Sequence, residues 1–127
     1  ALAADSLTPP GAEELASKSA SHCATVPCWT LPGGVRYPIM AVNTASLSPE
    51  TIDGALHLAV SKGIHNVDFH LGEEREGTAL AVKSLGRSSF FLTTKIPPPP
   101  ATLTDPGEAA DLVRHLVATE LNETALG

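Results

Sequence analysis

Two cysteines five residues apart, Cys23 and Cys28, are the chain's whole thiol complement. In an oxidising compartment they can close a small disulfide loop. Two free thiols are the alternative, and a lone pair of cysteines does not decide between them. With His22 they make three ligand candidates, one short of a structural zinc site. His65 and His70 flank Asp68 in a run that reads as a strand. Positions 65 and 70 of a strand face opposite sides, so the two imidazoles are not expected to share a metal. Asn122-Glu123-Thr124 fits the N-glycosylation sequon but falls inside a predicted helix, and it reads as structural. No glycine-rich phosphate loop occurs, since Leu31-Pro32-Gly33-Gly34 reads as a turn.

The elements that must position these groups alternate. Residues 1–30 show no sustained period; Pro9-Pro10-Gly11 breaks them, and a short helix fits residues 12–17. This stretch reads as an irregular extension lying on something else. The turn at residues 31–34 is expected to join Thr30-Leu31 and Val35-Arg36-Tyr37 as a hairpin. Pro38-Ile39-Met40-Ala41-Val42 is a compact apolar run, predicting a strand buried on both faces. Ser48 as N-cap and Pro49 at the first helical position open a helix carrying Ile52, Ala55, Leu56, Ala59 and Val60, which Gly63 stops. Residues 64–69 form a second strand. A helix over residues 73–84 turns Leu80 inward, and a third strand covers residues 89–96. Four prolines at 97–100 force an extended exit. A capping box at Asp105–Glu108 then opens a helix with Ala109, Leu112, Val113, Leu116, Val117 and Leu121 on its packed side. Such alternation predicts an α/β fold with parallel strands and right-handed crossovers.

Composition narrows the function classes. Of 127 residues 43% are hydrophobic and 17% charged, enough for a core and unlike a disordered tail. The net charge of −6 argues against nucleic acid or an anionic membrane surface as partner, since both need clustered Lys and Arg. No stretch approaches the roughly 20 apolar residues that span a bilayer. The opening Ala1-Leu2-Ala3 has the small residues common around signal and transit peptidase sites. A processed organellar protein (plastid, thylakoid or mitochondrial) or an exported one is therefore expected ahead of a cytoplasmic one.

Three segments, in order, carry a family likeness. Leu31-Pro32-Gly33-Gly34-Val35-Arg36-Tyr37-Pro38-Ile39 is similar to the N-terminal hairpin and first strand of the aldo-keto reductases. Lys62-Gly63-Ile64-His65-Asn66-Val67-Asp68 resembles their GYRHID segment. Gly86-Arg87 through Phe90-Phe91-Leu92-Thr93-Thr94-Lys95 resembles their R-x-x-(F)-F-I-x-S/T-K segment. The likeness covers residues 31–127. It implies a partial (β/α)8 TIM-type barrel: the hairpin plus about three strand–helix units, preceded by the irregular N-terminal extension, residues 1–30. It also implies a site of Asp, Tyr, Lys and His, in which the tyrosine protonates a carbonyl while NADPH supplies hydride. Asp68 and Lys95 match the aspartate and lysine. Their tyrosine has no counterpart: counted from Asp68 its slot holds Glu73, and counted back from Glu73-Glu74-Arg75-Glu76-Gly77 it holds His70. The connecting loop is thus shortened as well as substituted, and Tyr37, the chain's one tyrosine, lies in the hairpin. Asn43-Thr44-Ala45 likewise replaces the family's G-T-(W). His70 is the candidate surrogate, because an imidazolium can donate a proton. Without such a donor, Asp68 and Lys95 make a structural ion pair.

An eight-stranded barrel of this kind takes about 250 residues. Three strands cannot close, so one apolar sheet face and a strand edge are expected to need cover. Other protein subunits, or the chain's own C-terminal half, would supply it. The first expectation is a non-catalytic, reductase-derived accessory or scaffold subunit, a pseudoenzyme that binds no cofactor by itself. The second is the N-terminal part of an NADPH-dependent carbonyl reductase, with NADPH bound only by the completed barrel.

Overall fold

The computed structural model describes residues 21–123. The helix expected over residues 12–17 and most of the extension lie outside them. Strands β1 (Cys28–Thr30) and β2 (Arg36–Pro38) form an antiparallel hairpin, with Trp29 opposite Tyr37. Gly33 and Gly34 take left-handed φ at its tip, where side chains are disfavoured. A parallel three-stranded sheet follows: β3 (Ala41–Asn43), β4 (Asn66–Asp68) and β5 (Phe91–Thr93), in that order. Helices α1 (Pro49–Ser61) and α2 (Glu73–Leu85) make the two crossovers, a 3-10 turn (Arg87–Ser89) leads into β5, and α3 (Pro106–Glu123) comes last. The fold is a small mixed α/β unit with a parallel sheet.

The caps act as their residue types require. The Ser48 side chain accepts from Thr51 N–H at the start of α1. At its end Gly63 has φ 78°, Gly63 N–H bonds Val60 O at 3.0 Å, and Ile64 N–H bonds Ala59 O at 2.9 Å. That pair of bonds is the Schellman closure. Asp105 Oδ1 accepts from Glu108 N–H at 2.8 Å to open α3.

The sheet's register sorts its residues into three rows: Ala41–Asn66–Phe91, Val42–Val67–Leu92 and Asn43–Asp68–Thr93. Side chains alternate along a strand, so the aliphatic middle row faces one side and the outer rows face the other. The middle row packs with Ile52 and Leu56 of α1, Ala81 and Val82 of α2, and Phe69 and Phe90 just beyond the strands. The opposite face is polar apart from Ala41 and Phe91. The expected uncovered apolar face is therefore replaced by a polar one, because the sheet's aliphatic residues are concentrated in one row. For the same reason the first apolar run is not a strand buried on both sides. Pro38 belongs to the hairpin, Ile39 and Met40 are exposed, and β3 begins only at Ala41.

Two further expectations are corrected. Leu80 points outward, 46% exposed. Helix α2 crosses α1 on small residues, and a Cβ at Gly77 would stand 2.6 Å from Ile52 Cβ and 2.8 Å from Pro49 O. So close a crossing seats Gly77, Thr78 and Ala81 inward and turns Leu80 away. On α3, Val117 and Leu121 are exposed, while Leu112, Val113 and Leu116 are half-buried and Glu120 is buried. A polar anchor at Glu120 rotates the helix off its all-apolar stripe.

Gly77→Ala should destabilise the fold by about 1–3 kcal/mol through overpacking at the crossing. Gly54→Ala in α1, where a Cβ meets nothing within 4 Å, should stabilise it by about 0.4–1 kcal/mol. Urea denaturation of both variants checks the pair.

Candidate functional site

The hairpin closes one end of the polar sheet face. Buried Asn66 donates from Nδ2 to Pro38 O at 2.7 Å and accepts at Oδ1 from Thr93 Oγ1 at 3.3 Å. Tyr37 packs edge-on against Phe91, ring centroids 5.3 Å apart. Both contacts involve the row at the N-terminal ends of the strands. The C-terminal ends remain open, and the titratable groups gather there.

Asp68 and Lys95 are brought together: Lys95 Nζ donates to Asp68 Oδ1 from the far end of β5. Their side chains keep 31% and 41% of their exposure, so water screens the pair. Beside it, Thr44 Oγ1 lies 3.3 Å from Asp68 O and donates to Glu74 Oε2 at 2.8 Å. The same Glu74 oxygen accepts from His70 N–H at 3.0 Å and stands 3.1 Å from His70 Nδ1. Burial pushes the Glu74 carboxyl up, but the hydrogen bonds from Thr44 and His70, with the His70 charge, outweigh it and hold it below its ordinary value. The arrangement is a Glu–His dyad on a buried threonine, next to an Asp–Lys pair. A third polar contact joins this end to α3: Thr94 Oγ1 donates to Glu120 Oε1 at 2.9 Å, and Arg75 Nε approaches Glu120 Oε2 at 3.4 Å.

Chemically the dyad holds His70 by Nδ1, leaving Nε2 as the ring atom to carry a transferable proton. Tyr37 stands at the other end of the sheet. Sequence reasoning missed Glu74, Thr44 and Glu120, although the four-residue spacing of His70 and Glu74 signals a contact once α2 is known to start at Glu73. It also missed His57, whose Nε2 lies 2.9 Å from Ser84 Oγ and 3.5 Å from Asp53 Oδ1. Both contacts use one nitrogen, and Ser84 donates its hydroxyl to Ala81 O. A nucleophile relay needs the two ring nitrogens on different partners, so this trio is not one.

Cys23 and Cys28 are joined in a disulfide, which removes them as zinc ligands. His65 and His70 engage different partners, His65 Nδ1 meeting Ser89 O at 2.8 Å. Among the described residues no group of three or more His, Cys, Asp or Glu side chains could hold a metal ion, and no helix is long and apolar enough to cross a membrane. Asn122 is exposed on the last turn of α3. No protein-family model, curated protein or solved structure matches the chain.

Glu74 has a lower pKa folded than unfolded, so the fold favours its ionised form. Its contribution is whole above pH 4.5 and is lost as the pH falls through the folded value. Glu74→Gln should flatten the acid limb of a thermal-stability profile below that pH. Thr44→Val should cost about 1.5–3 kcal/mol at neutral pH, the range for a hydrogen bond to a charged group.

Proposed function

We propose that this chain is an aldo-keto-reductase-like accessory subunit without catalytic activity. Its Asp68–Lys95 pair acts as a structural ion pair, and its sheet is completed by other protein subunits. The observation that carries this reading is the placement of the tyrosine. Tyr37, the one tyrosine, packs against Phe91 at the N-terminal end of the sheet, away from Asp68 and Lys95 at the C-terminal end. The partial TIM-type barrel of the resemblance fits the sequential parallel order β3-β4-β5 with a hairpin across one end. On this reading the polar face continues into strands supplied from elsewhere, and the chain alone binds no cofactor. The disulfide suits an oxidising compartment, in keeping with a processed organellar or exported protein.

A second reading is favoured by the Glu74–His70 dyad. Here the chain is the N-terminal part of an NADPH-dependent carbonyl reductase, with His70 in place of the tyrosine and Asp68 and Lys95 beside it. NADPH would then be held by the completed barrel.

Titration with NADPH of the protein purified intact from its source, with whatever completes its sheet, followed by cofactor fluorescence, separates the two. The accessory reading predicts no saturable binding, no carbonyl reduction, and a stability change within about 1 kcal/mol for Lys95→Met, as for other exposed ion pairs. Saturable binding with carbonyl reduction that His70→Phe abolishes would overturn it in favour of the reductase.

A further inference from the structure

His22 lies outside that site, in the segment before the hairpin, and is buried at 5% exposure. Its Nε2 donates to Ser88 O at 2.8 Å in the 3-10 turn, a contact between residues 66 positions apart. A carbonyl only accepts, so the proton sits on Nε2 and the neutral ring leaves Nδ1 without one. Nδ1 is buried and has no hydrogen-bond partner among the described residues. The ring stacks on His65, centroids 5.2 Å apart, and His65 Nδ1 in turn meets Ser89 O. The charged group facing the pair is Arg87, whose Nη1 donates to Phe90 O at 2.7 Å. Three groups able to carry positive charge thus meet three consecutive carbonyls, Ser88 to Phe90, and among the described residues the charges that shift His22 are those of His65 and Arg87.

We propose that His22 and His65 form an acid-sensitive latch that holds the disulfide-closed segment, Cys23 to Cys28, on the strand–helix body at neutral pH and releases it in mild acid. Protonating His22 adds a donor at Nδ1 where the described residues offer no acceptor, and places a buried cation against His65 and Arg87. Burial chiefly, with the charges of His65 and Arg87, pulls the His22 pKa below 6.5 despite the opposing bond to Ser88. The unfolded histidine therefore takes up its proton first, and the latch loses stability as the pH falls below 6.5. Within the segment Thr25 Oγ1 also donates to Gly63 O at 2.5 Å, a side-chain contact at the end of α1. The disulfide keeps the segment tethered to β1 when it opens, so release is reversible.

The test is an NMR pH titration of the intact protein between neutral pH and about pH 5, a window set by the histidine pKa. The His22 ring signal should titrate below 6.5, and the amides of Cys23 to Val26 should shift with the same midpoint while those of Val67 and Leu92 stay fixed. His22→Gln donates to Ser88 without titrating and should leave the segment closed across the range. His65→Gln, which removes the imidazole whose charge lowers the His22 pKa, should move the His22 midpoint upward. Segment amides that stay fixed while His22 titrates would overturn the proposal, as would opening at an unchanged midpoint in His22→Gln.

Discussion

The row Val42–Val67–Leu92 against α1 and α2 is the contact on which the rest of the molecule depends. Each strand has three residues in the ladder, and only one per strand faces the helices. The sheet is too short to add a second aliphatic row, so Ile52, Leu56, Phe69 and Phe90 fill the remaining space. Burying each of these large side chains is worth about 1.5–3 kcal/mol, and no other cluster of comparable size occurs among the described residues. Gly77 is part of the same constraint, because the helices reach the row only by crossing closely.

Committing the apolar residues to one side leaves the other to polar groups, and there the functional possibilities lie. Asn66 uses one polar atom of its amide to fasten the hairpin, through Pro38 O, and the other to accept from Thr93 of β5. Asp68 and Thr93, one step along, point to the same side near the free end, where Lys95, Thr44 and His70 collect. The Asp68–Lys95 contact is half-exposed and contributes little to stability, whereas Glu74 on buried Thr44 is the better-shielded carboxylate. Position at the strand ends, more than stability, is what this cluster supplies.

The order of elements was legible in the sequence because punctuation residues mark it. Ser48-Pro49, Gly63, Gly86 and Asp105-Pro106 each sit at the boundary their chemistry suits. Face assignment was less legible. A run such as Pro38-Ile39-Met40-Ala41-Val42 looks like a strand buried on both sides, yet only a register can show that Val42 alone faces the core. Asp68 and Lys95 could be paired through the family resemblance. Glu74 could not, since its role depends on a tight turn at Gly72 that returns α2 against His70. His22 was hidden for a different reason: its partner is a backbone carbonyl 66 residues away, and no side-chain pattern encodes that.

On the proposed function, further protein completes the polar face and the outer edges of β3 and β5. Light scattering coupled to gel filtration, applied to the protein purified without denaturant from its source, tests this most directly. The expected result is a particle well above the 13.1 kDa of these residues, whether the added mass is other subunits or further chain. A single monodisperse species of 13.1 kDa, folded and soluble, would contradict it.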